Sequence, residues 1–204
     1  MPKLKIQYNM AEAQESAVHG WHDKIGIVLH ETVSAQQPRS LKDVIAISSY
    51  LDVKDYGMHG ITDDDGNIGW SKGLGRAIFY HATSSGSKHH GLANTNFMGI
   101  EQISRVMLDY STRTKRIQAW LAMDDELNAT AKLIACASRA HGWPIVSNPG
   151  NTMLPGVTTH WEVTMYNGVA GGHTDCWPSH LGGYYPKREV IRLAKNYYAL
   201  GWHF

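Results

Sequence analysis

The run Ile25-Gly26-Ile27-Val28-Leu29, closed by His30 and followed by Glu31-Thr32, constrains this chain more than any other segment. A short apolar, β-branched run predicts a buried strand. A histidine at the end of such a strand places an imidazole on rigid backbone at the sheet edge, where a metal ligand belongs. Alone this signal is weak, since most histidines after strands are hydrogen-bonded structural residues. Two later segments supply matching partners: Val157-Thr158-Thr159-His160-Trp161-Glu162-Val163 and Gly172-His173-Thr174-Asp175-Cys176-Trp177-Pro178.

At 204 residues the chain is long enough for one substantial α/β or α+β domain. A hydrophobic content of 43% with 18% charged residues fits a globular protein. The net charge of +1 argues against nucleic acid or an anionic membrane surface as partner. Two cysteines, Cys136 and Cys176, are too few for a disulfide scaffold, and both are read as reduced. Cys136 falls in a helical pattern as a small apolar residue. Met1 is followed by Pro-Lys-Leu-Lys, without the apolar core of a signal peptide. No stretch reaches the roughly 20 apolar residues of a membrane span.

Residues 1–20 read as an irregular N-terminal extension that wraps the domain at 21–204. A strand is expected near 25–30. Ser40 is a candidate N-cap, with Asp43 three residues on, for a helix to Tyr50 that buries Leu41, Val44 and Ile45. Residues 58–62 and 67–70 read as two strands joined by an Asp-Gly turn; the Asp63-Asp64-Asp65 run is taken as a solvated turn rather than a calcium loop. Further strands are expected at 77–82 and 97–103, with a Gly/Ser/His-rich loop at 83–96. A long helix over 120–141 buries Leu127, Ala131, Ile134 and Ala135, and Gly142-Trp143-Pro144 stops it. Residues 146–185 read as irregular. A last helix, 187–200, buries Val190, Leu193, Ala194 and Tyr197. The expected architecture is a single α/β domain, a central mixed β-sheet flanked by helices.

A zinc hydrolase commonly uses three protein ligands and leaves a further position open for water, whose pKa falls to about 7. His30 and His160 are natural nitrogen donors, and Asp175 or Cys176 completes the set. Six segments in order then resemble one family. They are His30-Glu31-Thr32, His59 to Gly66, His81-Ala82, Asn96-Phe97-Met98-Gly99-Ile100-Glu101, His160-Trp161-Glu162-Val163 and His173-Thr174-Asp175. In that order they resemble the zinc-dependent N-acetylmuramoyl-L-alanine amidases of type 2, which include phage endolysin amidase domains and peptidoglycan recognition proteins. The likeness runs from about residue 21 to 200.

The resemblance implies a Zn2+ cofactor held by His30, His160 and a third ligand. His-Thr-Asp-Cys-Trp-Pro departs from both patterns of the family at that ligand. One register makes Asp175 the ligand and puts His173 at the family's catalytic Lys position. The other makes Cys176 the ligand and leaves Thr174 there. The Asp175 register is preferred because Glu101 matches the general base of the Asp branch, whereas Met58 stands where the Cys branch often has a Tyr. The implied mechanism has Glu101 taking the water proton and passing it to the leaving amine, with His173 stabilising the oxyanion. His81, Thr32, Asn96 and Trp161 are implied substrate-binding residues. His59 is expected to be structural, and His89-His90 a surface pair. Trp70 and Trp177, like Trp161, are either sugar platforms or core.

The implied activity is cleavage of the bond between N-acetylmuramic acid and L-alanine in peptidoglycan, as a phage endolysin. The expected setting is a monomer in the host cytoplasm before lysis, with no nucleic acid or membrane partner. The alternatives are a non-catalytic muropeptide-binding module of the same fold, or a zinc endopeptidase cutting within the stem peptide. No His-Glu-x-x-His helix supports the second alternative.

Overall fold

A computed structural model describes residues 1–14, 16–33, 41–54, 56–82, 90–168 and 175–204. The N-terminal segment contributes β1 (Tyr8–Asn9) and a single turn, α1 (Ala11–Gln14). The apolar run forms β2 (Gly26–Val33), and α2 (Leu41–Val53) follows. The hairpin is β3 (Gly60–Thr62) and β4 (Ile68–Trp70). Next come α3 (His90–Asn96), β5 (Phe97–Ser104), α4 (Val106–Asp109), α5 (Arg113–Ala122) and α6 (Asp124–His141). The chain closes with β6 (Gly156–Thr159), α7 (His160–Tyr166) and α8 (Lys187–Ala199).

The strands form one six-stranded mixed sheet in the order β1-β4-β3-β5-β2-β6. Among the described strands the β3–β4 hairpin is the antiparallel pair; β2 lies parallel to both β5 and β6. Alternation along β2 divides its side chains between two buried faces, as in parallel sheets covered on both sides. Ile27 and Leu29 enter the main core, with Met98, Ile100 and the buried residues of α6 and α8. Val28 faces the other way, toward Phe97, Ala82, Ala93 and Val163. The close pairing of β2 and β6 requires glycine: a Cβ at Gly26 would lie 2.0 Å from the Gly156 carbonyl oxygen.

Several expectations change in the structure. The single helix expected over 120–141 is broken at Met123, whose ψ of 59° leaves the helical region. Trp120 at the end of α5 is fully buried against the Tyr185 ring, and the acidic run Asp124-Asp125-Glu126 starts a new helix at its positive end. Gly142 ends that helix with φ 74°. The strand expected at 77–82 is reduced to a bridge between Ala77 and Trp21. Its backbone is satisfied elsewhere, since the Asn94 side chain accepts from the His81 and Ala82 amides. Within 146–185, residues Gly156–Tyr166 form β6 and α7. Residues 1–20 contain β1, which pairs with β4. Residues 90–96 of the expected loop are helical, and Ile45 of α2 is exposed. Ser40 and His89 lie outside the described residues.

Candidate metal centre

The parallel pairing of β5, β2 and β6 brings three functional positions together: β2 runs on past the expected end at His30 to Val33, so His30 and Glu101 sit within their strands, and His160 follows the last residue of β6. His30 lies opposite Glu101 in register, and Leu29 lies opposite Thr159, the residue before His160.

His160 opens α7 and is fixed by its N-terminal cap. The Thr159 side chain accepts from the Glu162 amide, and Glu162 accepts from the Thr159 amide, a reciprocal capping box. Glu162 also takes the Lys187 ammonium of α8, with Nζ 2.6 Å and 2.8 Å from its two oxygens. Both side chains are buried. The Trp161 amide donates to the Asp175 carbonyl at 3.2 Å, tying the start of α7 to the loop that carries Asp175.

Ligand atoms of His30, His160 and Asp175 all lie within 4.8 Å of one another. His30 Nδ1 is 3.5 Å from Asp175 Oδ2, and His160 Nδ1 is 3.1 Å from Asp175 Oδ1. The Glu31 amide also approaches Asp175 Oδ2, at 3.4 Å. Burial alone would raise the Asp175 carboxyl; the facing His160 and His30 rings outweigh it and hold the group well below the usual carboxylate range. Two imidazoles and an ionised carboxylate, closely set and mostly buried, are a donor set that fits zinc.

Cys176 goes elsewhere. It is the one non-glycine residue with positive φ (54°) among those described. Its side chain is fully buried in the main core, and Gln102 Nε2 approaches its Sγ at 3.5 Å. Gln102 alternates with Glu101 along β5, so Cys176 lies across the sheet from His30. Burial pushes its thiol well above the usual range.

Glu101 is buried and accepts a hydrogen bond from the Thr32 hydroxyl. Burial outweighs that bond and raises its pKa to about 8. The donor, Thr32, is one of the residues expected to bind substrate. The Asn96 amide is committed to the Thr152 carbonyl at 2.8 Å. His81 is buried between His30 and the Phe97 carbonyl rather than set along an open groove. His59 is structural in geometry: its Nδ1 accepts from the Gly99 amide and its Nε2 donates to the Ala77 carbonyl. Trp70 is buried and stacks on Phe204. Trp161 and Trp177 stack on each other, with centroids 5.4 Å apart. They line a cavity of about 280 Å³ with Met107, Arg113, Arg116 and Tyr184. His173 and Thr174 lie outside the described residues.

Two supporting groups were not anticipated from the sequence. One is the Glu162–Lys187 pair, although Thr159-x-x-Glu162 already spells a capping box. The other is Glu31, which accepts from the Tyr184 and Ser104 hydroxyls at 2.7 and 2.8 Å. Burial raises Glu31 to about 7 despite these two bonds.

Comparison with known proteins gives a consistent picture. No curated protein matches the chain by sequence. Among solved structures, the Staphylococcus aureus hydrolase AmiA in complex with its ligand aligns with a TM-score of 0.59 at 16% identity. The alignment covers 98% of this chain and 96% of that one. The PlyG catalytic domain aligns with a TM-score of 0.54 at 12% identity, covering 97% and 96%. A mutant of PlyL aligns at 0.56 with 10% identity, covering 94% and 99%. At these identities the likeness establishes a shared fold. Residues 22–179 match the family described as N-acetylmuramoyl-L-alanine amidase. That span takes in His30, Glu101, His160 and Asp175, and the chain belongs to this amidase family.

Proposed function

We propose that this chain is a zinc-dependent hydrolase that cleaves the amide between the lactyl group of N-acetylmuramic acid and L-alanine in peptidoglycan. The observation that carries the reading is the convergence of His30, His160 and Asp175 beside a buried Glu101. Membership of the amidase family supports the substrate.

The residues that would hold zinc are His30 Nδ1, His160 Nδ1 and a carboxylate oxygen of Asp175, and Cys176 is not among them. The chemistry such an ion supplies is Lewis acidity toward the scissile carbonyl and acidification of water. Glu101 acts as general base: it takes a proton from the attacking water and delivers it to the leaving amine of L-alanine. A base titrating near neutrality suits that exchange, and burial sets Glu101 in this range. A cation bound nearby favours the carboxylate form of Glu101. The Thr32 hydroxyl orients the carboxylate. Thr159, Glu162 and Lys187 fix the entry into α7 and with it the His160 ring. His173 retains the oxyanion role that the family resemblance implies, and a phage endolysin is the setting it implies.

Mass spectrometry of peptidoglycan digested by the zinc-loaded protein tests the reading. Released stem peptides should begin with a free L-alanine amine, and the glycan strands should keep a free lactyl carboxylate. Peptides cut inside the stem would mark an endopeptidase. Binding without release would mark a recognition module. Either result overturns the proposal.

A further inference from the structure

The His81 ring is 6% exposed and stands behind His30, on the far side of that ring from Asp175. Its Nε2 is 3.2 Å from the Phe97 carbonyl oxygen, and its Nδ1 is 3.1 Å from His30 Nε2. The position is built for an imidazole. The Asn94 side chain accepts from the His81 backbone amide at 3.0 Å, fixing where the side chain leaves the backbone. Gly99 makes room for the ring, since a Cβ there would lie 2.7 Å from His81 Cγ.

These contacts determine the hydrogens. A carbonyl oxygen only accepts, so His81 Nε2 carries a hydrogen and donates to Phe97. A His81 ring with its one hydrogen on Nε2 accepts at Nδ1. His30 Nε2 must then be the donor between the two rings. A neutral His30 with its hydrogen on Nε2 presents a lone pair at Nδ1, the nitrogen 3.5 Å from Asp175 Oδ2. That lone pair is the one a zinc ion held between His30 and Asp175 would take.

We propose that His81 is a positioning residue: through the line Phe97 carbonyl, His81, His30 it selects the His30 tautomer that offers Nδ1 to the metal. Outer partners of this kind orient the ligand and raise its basicity, and their loss commonly weakens metal binding by about 10–100-fold. The inference rests on His30 as a zinc ligand, but the tautomer can be read apart from that.

Two measurements test it. Nitrogen-15 NMR of the histidine rings, on zinc-loaded and on metal-free protein, should find the hydrogen of both His81 and His30 on Nε2. Competition with a chromogenic chelator should show His81→Leu holding zinc about 10–100-fold more weakly than the wild type. His81→Gln should recover most of the loss, because its amide oxygen can accept from His30 while its NH2 donates to Phe97. A purely structural role would lower the melting temperature of metal-free His81→Leu without altering zinc affinity or the His30 tautomer. That result, or a wild-type His30 with its hydrogen on Nδ1, overturns the proposal. If His81→Leu does not fold, the wild-type ring spectra and His81→Gln still decide. A wild-type chain that binds no zinc would sink the amidase reading, while the ring spectra of metal-free protein would still report on His81.

Discussion

Lys187→Met should destabilise the protein by about 3 kcal/mol, at the lower end of the roughly 3–5 kcal/mol for breaking a buried ion pair from one side. The Lys187 Nζ lies 2.6 and 2.8 Å from the two Glu162 oxygens and 2.8 Å from the Asn148 carbonyl, with its side chain 0% exposed. Burial pulls the ammonium below its usual range even with Glu162 beside it, so the attraction within the pair does not fully offset the cost of desolvating the Lys187 charge. Its removal is severe for a different reason: it strands the Glu162 carboxylate, 2% exposed, without a counter-charge. The loss falls at the lower end because Glu162 Oε2 keeps the Thr159 amide at 2.9 Å and the Thr159 and Thr158 hydroxyls at 3.2 and 3.3 Å. For a chain of this size, about 3 kcal/mol corresponds to a fall of about 6–12 °C in melting temperature. The assay is thermal and urea unfolding of metal-free protein, so that zinc binding does not enter. Adding Glu162→Gln to Lys187→Met should recover part of the loss, because an amide oxygen still caps α7 and no charge is left buried. A single variant within about 1 kcal/mol of wild type would refute the reasoning. So would a double variant no more stable than Lys187→Met.

Glu101→Gln should retain zinc and lose about 10²–10⁴-fold in peptidoglycan hydrolysis, because the amide keeps the shape but cannot take the water proton; near wild-type turnover would place the base elsewhere. Glu126, buried at the start of α6 and hydrogen-bonded by Thr62, is raised well above 4.5 by burial. Its folded state therefore holds a proton that the unfolded chain releases, so its contribution to stability is lost as pH rises from about 4.5 toward the folded pKa. Glu126→Gln should flatten that fall in urea unfolding measured between about pH 5 and 8; an unchanged slope would show that Glu126 ionises normally.

Much of the centre was legible in the sequence because strands impose strict geometry. His30 and Glu101 each sit in an apolar run, and period-two alternation puts them on one face once β2 and β5 pair in register. The sequence preferred Asp175 over Cys176 only through the match of Glu101; that the two side chains part to opposite faces of the sheet was not legible. It depends on a left-handed φ at Cys176, a backbone state that residue type does not announce for a non-glycine. Residue α7 context was hidden for another reason: a four-residue strand and a seven-residue helix are too short for periodicity to detect. The capping box at Thr159 and Glu162 was the local signal available there. The acidic run at 124–126 likewise marked the helix start that an apolar stripe over 120–141 smoothed across. The expected strand at 77–82 had the right composition, but the Asn94 side chain takes the His81 and Ala82 amides while those of Ala77 and Ile78 go to the Leu74 and Gly20 carbonyls, and no local pattern reveals such partners.

X-ray absorption at the zinc edge, on protein purified without added metal and shown by elemental analysis to hold one zinc per chain, tests the central claim most directly. The structure predicts a shell of nitrogen and oxygen only, at about 2.0–2.2 Å, from His30, His160, Asp175 and solvent. His160→Ala and Asp175→Ala should each empty the site, and Cys176→Ser should leave the shell unchanged. A sulfur scatterer at about 2.3 Å would contradict the account, because it would bring Cys176 across the sheet to the metal and displace Asp175 from it.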